Sequence, residues 1–265
     1  MGTIRILRER IAGQSSMSTV LEAQARAVPR PLIARIFGSS PLTAEGRAHY
    51  RSALGEVLVG EALGHLDPSW DVLHDLPLSD GVLDHLVIGR PGVFTVSAAN
   101  VSRLDVVVEG DSLMVAGAER DDMARAASQA AETAALLEAA AGVPVAVTAL
   151  LVVVDPRRLT VRAPADGVQV IESRDLQRFL THSPRRLTGD EVARVSDLAD
   201  VESTWPRTGA LDLDTRRLRR DFLDLRDAVR QAILRRVLWV IATFGVSYVA
   251  VWSLVATLVS DILHP

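Results

Sequence analysis

Two reactive residue types are missing from this chain of 265 residues. It has no cysteine, and all 29 of its basic residues are arginine, so lysine is absent as well. Without cysteine there are no disulfides, thiolate nucleophiles or cysteine-bound metal centres. Without lysine there is no Schiff base, no lysine-dependent phosphate loop and no catalytic ammonium group. Any chemistry therefore falls to carboxylates, hydroxyls, histidines and arginines.

A strong excess of one charge is also lacking. The net charge is −4, which excludes a global basic field for nucleic acid. The basic residues are unevenly spread, however, because residues 1–54 contain eight arginines but only three glutamates. We interpret residues 1–42 as a basic N-terminal arm and linker, in which Met17 is an alternative start of translation.

Charge disappears altogether from one long segment. Val237–Ser260 is a run of 24 residues without a charged side chain. As a helix rising about 1.5 Å per residue it is long enough to cross a hydrocarbon core of about 30 Å. The alternative, a buried core helix, would normally carry a polar stripe. The run predicts a transmembrane helix over residues 237–260 in a single-pass protein of the cell membrane.

Arginines lie mainly on the N-terminal side of this span. Arg235 and Arg236 directly precede it, and residues 211–236 predict an amphipathic, Arg-rich juxtamembrane helix. That helix could lie on the inner leaflet, pack on the preceding domain, pair as a short coiled coil or form a solvated charged stalk with one packed face. The positive-inside bias places the N-terminal domain in the cytoplasm. The lipid bilayer is the first expected partner, and self-association or a membrane protein partner is a further possibility.

Residues 43–203 have the pattern of an α/β domain. A helix is predicted over Ala48–Leu66 and an alanine-rich helix over Asp121–Ala141. Val145–Val154 is a continuous apolar run, typical of a strand covered on both faces. Five shorter strand-like runs separate the two helices, at residues 70–76, 82–88, 92–96, 104–108 and 113–116. The order is a meander of strands, then a crossover helix that returns to a buried strand.

Several of these segments resemble the nuclease-related domain (NERD) family. Asp84–Phe94 reads DHLVIGRPGVF, and Leu73–Pro77 reads LHDLP after Gly55, Glu56 and Trp70. Gln129 and Ala130 on the alanine-rich helix also match, and the resemblance covers about residues 46–185. It implies a restriction-endonuclease-like, PD-(D/E)xK fold, with a central mixed sheet flanked by helices.

The resemblance also implies a metal-dependent nuclease site, of which this sequence keeps only part. Glu56 and Asp84 stand where the family has a helix glutamate and a strand aspartate that bind Mg²⁺. The next strand should carry an acid and, two residues on, a lysine, but Ser97 and Ala99 stand at those positions. Arg103 is the nearest arginine downstream, and arginine cannot act as a base at neutral pH. We therefore expect a remnant catalytic site.

The expected function follows from this remnant. Mg²⁺ is the only candidate cofactor, with at most weak binding by Glu56 and Asp84. The first hypothesis is an inactive domain that binds nucleic acid or docks a partner at the inner membrane face. The alternatives are an active nuclease that uses Glu56 and Asp84 in a non-standard site, and a membrane scaffold without nucleic-acid contact. His85 is interpreted as a packed core histidine.

Overall fold

A computed structural model describes residues 7–28, 30–206 and 214–263 of the chain. The described residues form two compact units. The first comprises residues up to Val20 together with Ala48–Leu218, and the second comprises Leu21–Arg47 together with the residues from Arg219 onward. Residues 211–213 of the expected juxtamembrane helix lie outside the described residues.

All the strands given below lie in the first unit, whereas the helices are spread over both units. The strands are β1 (Asp71–Leu78), β2 (Gly81–Gly89), β3 (Gly92–Asn100), β4 (Asp105–Glu109), β5 (Ser112–Val115), β6 (Ala118–Arg120), β7 (Val147–Val154), β8 (Arg158–Ala163) and β9 (Val168–Glu172). The helices of the whole chain are α1 (Gln14–Ala25), α2 (Leu32–Ile36), α3 (Ala44–Leu63), α4 (Asp122–Ala141), α5 (Leu176–His182), α6 (Gly189–Ala199) and α7 (Thr215–Leu263).

The larger sheet has the strand order β1-β2-β3-β7-β9. The first three strands are an antiparallel meander, and β7 then pairs parallel to β3 after the crossover through α4. Ala149–Val154 of β7 are all buried, because β7 is a central strand with helices on both faces. The predicted meander, crossover helix and doubly covered strand are therefore all present, and the predicted α/β fold class is confirmed.

A second, smaller sheet with the order β6-β5-β4-β8 was not separated from the first by the sequence. Strand β8 was not predicted, although its sequence RLTVRA alternates polar and apolar residues, because it is short and most of its residues are exposed. Its partner β4 alternates buried and less buried residues. Parallel pairing with β4 holds β8 in the smaller sheet.

Helix α4 packs against both sheets. Met123 and Ala126 belong to a core with β4 and β5 of the smaller sheet, whereas Leu137 packs with β1 and β2 of the larger one. The helix ends where Gly142, at φ 71°, adopts the left-handed conformation and donates its N–H to the carbonyl of Glu138. Helices α3 and α5 cover the opposite face of the larger sheet through Val59 and Leu176.

The second unit is dominated by α7, a helix long and apolar enough over Thr215–Ser253 to cross a membrane. Its side chains in the apolar stretch are exposed, among them Leu238, Phe244 and Trp252. A core helix of a soluble protein would bury such residues. The predicted span is thus one continuous helix with the arginine-rich segment that precedes it.

Half-buried His74 and fully buried His85 form a pair in the hairpin of β1 and β2. The Nδ1 atoms of His74 and His85 lie 2.8 Å apart, so that one ring donates a hydrogen bond to the other. Burial lowers the pKa of His74 to about 4. Burial, reinforced by the neighbouring His74, holds the pKa of His85 well below its usual range. Both rings are therefore neutral near neutral pH.

Acid should destabilise the first unit through these histidines. The unfolded chain takes up protons near a pKa of about 6.5, whereas folded His74 resists protonation until about 4. The stabilisation is thus complete above about 6.5 and is lost as the pH falls toward 4, by about 3 kcal/mol for His74. Urea unfolding of wild type and His74→Gln across this interval measures the difference, which should shrink as the pH falls. A difference independent of pH would contradict a neutral pair.

Candidate functional site

Three of the four residues singled out by the sequence line one cavity of about 600 Å³ in the first unit. Glu56 comes from α3, Asp84 from β2 and Ser97 from β3. Ala99, the fourth, does not line it. It is 1% exposed and lies in the core shared with Met123 and Ala126 of α4.

Strand pairing and a close helix approach bring the three residues together. The register of β2 with β3 places His85 beside Val96, which brings Asp84 to the same end of the sheet as Ser97. One carboxylate oxygen of Asp84 accepts the N–H of Ala98 at 2.7 Å. Helix α3 delivers Glu56 because Gly55 faces Asn100 so closely that an added Cβ would lie 3.1 Å from the Asn100 Cβ.

Ser97 is tied to α4 by side-chain hydrogen bonds. Its hydroxyl donates to Oε1 of Gln129 at 2.9 Å, and the Gln129 amide donates to the carbonyl of Val82 at 3.0 Å. Gln129 therefore has both ends of its amide engaged. At the position where the resemblance calls for an acid, the chain has a neutral, hydrogen-bonded bridge between β3 and α4.

A third carboxylate, which the sequence interpretation did not assign, also lines the cavity. Asp75 lies in the middle of β1 with φ 57°, a left-handed conformation that non-glycine residues rarely adopt. Its side chain is 1% exposed. Asp75 was visible in the LHDLP motif as a polar residue inside a strand-like run, which was the available signal.

The N-terminal segment supplies the partners of two of these carboxylates. Ser15 donates its backbone N–H at 2.8 Å and its hydroxyl at 2.9 Å to Asp75. Arg10 forms an ion pair with Asp75 at 3.3 Å. Ser16 donates to Oε1 of Glu56 at 2.7 Å. Helix α1, within the segment that the sequence interpretation gave as a basic arm and linker, thus covers the acidic side of the cavity.

The cationic side chains of the cavity do not come from β3, the strand in which the resemblance calls for a lysine. Arg51, Arg120 and Arg125 line the cavity. Buried Asp122 holds two of them, since its Oδ2 lies 2.6 Å from Nε of Arg120 and its Oδ1 lies 2.6 Å from Nη2 of Arg125. Arg103 is absent from the lining and pairs with exposed Asp155 at 3.7 Å.

The carboxylates do not fit a bound magnesium ion. Glu56 and Asp75 accept hydrogen bonds from α1, and one oxygen of Asp84 is occupied by a backbone N–H. Within residues 7–28, 30–206 and 214–263, no group of three or more acidic or histidine side chains is placed to hold a metal ion. Mg²⁺ requires oxygen ligands in a near-octahedral shell, and this arrangement does not offer one.

Comparison with known proteins adds a family to this geometry. Residues 51–154 match the family model of the nuclease-related domain. The resemblance that the motifs predicted is therefore confirmed for this segment, which is similar to a nuclease-related domain. No match was found among curated proteins or among solved structures.

The matched segment contains Glu56, Asp75, Asp84, Ser97 and Ala99, but not α1. Ser15 and Ser16, which cover Asp75 and Glu56, thus lie outside the matched segment. Strand β9, which completes the larger sheet, also lies beyond the match. The compact unit that holds the site is consequently larger than the matched segment.

Burial sets the electrostatics of the nuclease-related domain's cavity. Burial raises the pKa of Glu56, although hydrogen bonds from Ser16 and Ser52 act in the opposite direction and lower it. Burial also raises the pKa of Asp84 well above its usual range, and the charge of Glu56 raises it further. The folded state thus holds protons that the unfolded state releases. The contribution of these two carboxyl groups to stability, opposite in sign to that of the histidines, is greatest below their unfolded pKa values and falls as the pH rises through their folded ones. The carboxylates cost folding free energy near neutral pH.

Proposed function

We propose that the chain is a membrane-anchored nuclease-related-domain protein that does not cleave phosphodiester bonds. In this proposal it binds nucleic acid, or docks a partner, at the inner membrane face. The observation that carries the proposal is Ala99, a buried methyl group where the resemblance calls for the water-activating lysine. No lysine exists elsewhere in the chain to replace it. Arginine keeps its proton at neutral pH and so cannot activate water as a base.

Binding without cleavage is compatible with the remaining groups. Arg120 and Arg125 project into the cavity from a fixed position on Asp122. Guanidinium groups bind phosphate oxygens in a bidentate way without chemical change. Buried carboxylates that cost stability are typical of sites retained for a function, and Glu56 and Asp84 have this property.

The cellular location belongs to the same proposal. Helix α7 supplies a segment long and apolar enough to span a bilayer. Basic residues that flank a membrane span accumulate on its cytoplasmic side. The arginines that precede the segment therefore place the N-terminal end of the span in the cytoplasm. The nuclease-related domain would then lie at the inner face of the cell membrane. Retention of the full-length chain in membranes after an alkaline carbonate wash supports the anchoring, and release contradicts it.

An active nuclease is the second candidate, and one observation favours it. Asp75 brings a third carboxylate to the cavity of Glu56 and Asp84, so the acid missing at Ser97 has a substitute on another strand. A rearrangement of α1 would free Asp75 and Glu56 for a ligand. A scaffold without nucleic-acid contact is the third candidate, favoured only by the net negative charge.

One set of measurements on the purified full-length protein separates the three functions. With plasmid DNA or labelled RNA and Mg²⁺ or Mn²⁺, we expect no more cleavage than with Glu56→Ala. Single-stranded nucleic acid should bind, and the binding should weaken steeply with salt. Arg120→Gln/Arg125→Gln should reduce the salt slope by about 0.7 for each phosphate that the variant no longer neutralises. The surface variant Arg157→Gln/Arg162→Gln removes the same charge elsewhere and should bind as wild type does.

Two outcomes would overturn the proposal. Metal-dependent cleavage that Glu56→Ala or Asp84→Ala abolishes would establish the active nuclease. The absence of binding at low salt would leave the scaffold.

A further inference from the structure

In the second unit, the short helix α2 is fixed against the start of the apolar stretch of α7. Trp239 Nε1 donates a hydrogen bond to the carbonyl of Ile36 at 2.9 Å, and the rings of Phe37 and Trp239 lie 4.7 Å apart. A Cβ added at Gly38 would lie 2.4 Å from the carbonyl oxygen of Ala232. Only glycine allows this approach, so α2 is held at one level along α7.

Four arginines lie around this contact, and three of them donate to backbone carbonyls. Arg235 donates to the carbonyl of Arg35 at 3.2 Å, Arg236 donates to that of Gly38 at 3.2 Å, and Arg30 donates to that of Ser39. No described carboxylate forms an ion pair with Arg30, Arg35, Arg235 or Arg236, whereas Arg26 in the same unit pairs with Glu22.

The charges of the cluster repel one another at Arg30. Burial, followed by the charges of Arg35 and Arg235, lowers the pKa of Arg30. Hydrogen bonds to neutral carbonyls hold these guanidinium groups in place but leave their charge uncompensated. A bound anion would relieve the repulsion, and phosphate is the anion that clustered arginines bind best.

The outer face of α2 is apolar. Leu32, Ile33, Ile36 and Phe37 follow the spacing of one helical face, and Leu32 and Ile33 are 73% and 70% exposed. This face adjoins the exposed apolar side chains of α7, which begin at Ile233. A polar-tipped tryptophan lies at the junction, as is common where a helix enters the interface of a bilayer.

A lipid interface is the environment that matches both properties. It offers acyl chains to the apolar face and phosphate to the arginines within the same few ångströms. A soluble anion would match the charge but leave the apolar face exposed to water. Continuity with a helix able to cross a membrane therefore decides in favour of lipid.

We propose that Arg30, Arg35, Arg235 and Arg236 bind the phosphate of an anionic phospholipid while the apolar face of α2 lies in the membrane interface. The site makes α2 a second, interfacial anchor beside the span. This inference rests on the membrane anchoring in the proposed function, but not on nucleic-acid binding.

The role of the arginine charges in lipid binding is tested with the full-length protein in detergent micelles. The protein is titrated with fluorescent phosphatidylglycerol or phosphatidylcholine. Arg30→Gln/Arg35→Gln should weaken phosphatidylglycerol binding by about 30-fold, from about fivefold for each arginine near an anionic headgroup. Phosphatidylcholine binding should not change. The control Arg26→Gln/Arg47→Gln removes two charges from the same unit and should bind as wild type does. Wild-type affinity in the first variant, or displacement of the lipid by millimolar inorganic phosphate, would overturn the proposal.

The position of α2 is tested separately in vesicles. Because the chain has no cysteine, Ile33→Cys accepts a single environment-sensitive dye. Lipids that carry a quencher near the headgroup should quench this dye, and aqueous iodide should not. Quenching by iodide alone would place α2 in water and refute the interfacial anchor. If the chain leaves the membrane in carbonate, the anchoring itself is wrong, which is a different result from a retained chain with an iodide-quenched dye.

Discussion

Restoring the missing lysine by Ala99→Lys should destabilise the fold and restore no cleavage. Ala99 pairs with Val153 of β7 and packs in the core with Met123 and Ala126. A lysine there must either overpack this core or bury its ammonium group. Each cost is typically 1–3 kcal/mol or more, so we expect a loss of about 3 kcal/mol. Thermal unfolding of the full-length variant in detergent, followed by near-ultraviolet circular dichroism, measures it.

The matched control is Ala139→Lys, the same change at an exposed position of α4. Surface substitutions of this kind stay within about 0.5 kcal/mol. Wild-type stability of Ala99→Lys would mean that the lysine side chain reaches the cavity past Ser97. In that case a few substitutions would be enough to complete the family's set of catalytic residues. Cleavage of nucleic acid by Ser97→Asp/Ala99→Lys would then refute the assignment of an inactive fold.

The sequence predicted most of the larger sheet because its signals are local. Val145–Val154 is apolar without interruption, which requires cover on both faces, and the Asp84–Phe94 motif fixes the hairpin of β2 and β3. The span was equally readable, since a run of 24 uncharged residues is typical of a helix that crosses a bilayer. Strand β8 was not readable, because it is held in place by β4, which is distant in the sequence.

The site was only half predictable for a related reason. The positions of Glu56, Asp84 and Ser97 could be predicted because each lies in or next to a motif that resembles the family. That of Asp75 could not, because its left-handed conformation interrupts the pairing of β1 with β2 between His74 and Leu76, and the sequence does not show that conformation. The contacts of Ser15 and Ser16 join residues about 40 to 60 positions apart. Such pairings come from the packing of α1, which periodicity cannot reveal.

Removal of the Asp75 side chain should release α1 from the domain. Asp75→Ala leaves the N–H and hydroxyl of Ser15 without their acceptor and Arg10 without its ion pair. Breaking a buried charged network at one partner costs about 3 kcal/mol. Part of this cost is offset, because the variant no longer buries a carboxylate, whose burial raises the pKa of Asp75. The left-handed backbone strain at φ 57° is no smaller for alanine and offsets nothing.

Hydrogen–deuterium exchange on the full-length protein resolves the effect by segment. We expect faster exchange over residues 7–20 in Asp75→Ala and unchanged exchange in Asp197→Ala, which removes an exposed aspartate from α6. Glu56→Gln supplies the opposite case. It keeps an acceptor for Ser16 and removes a desolvated charge, so it should be at least as stable as wild type. Equal destabilisation by Asp75→Ala and Glu56→Gln would mean that α1 is held by the cavity as a whole. Asp75 would then not be the main attachment of α1.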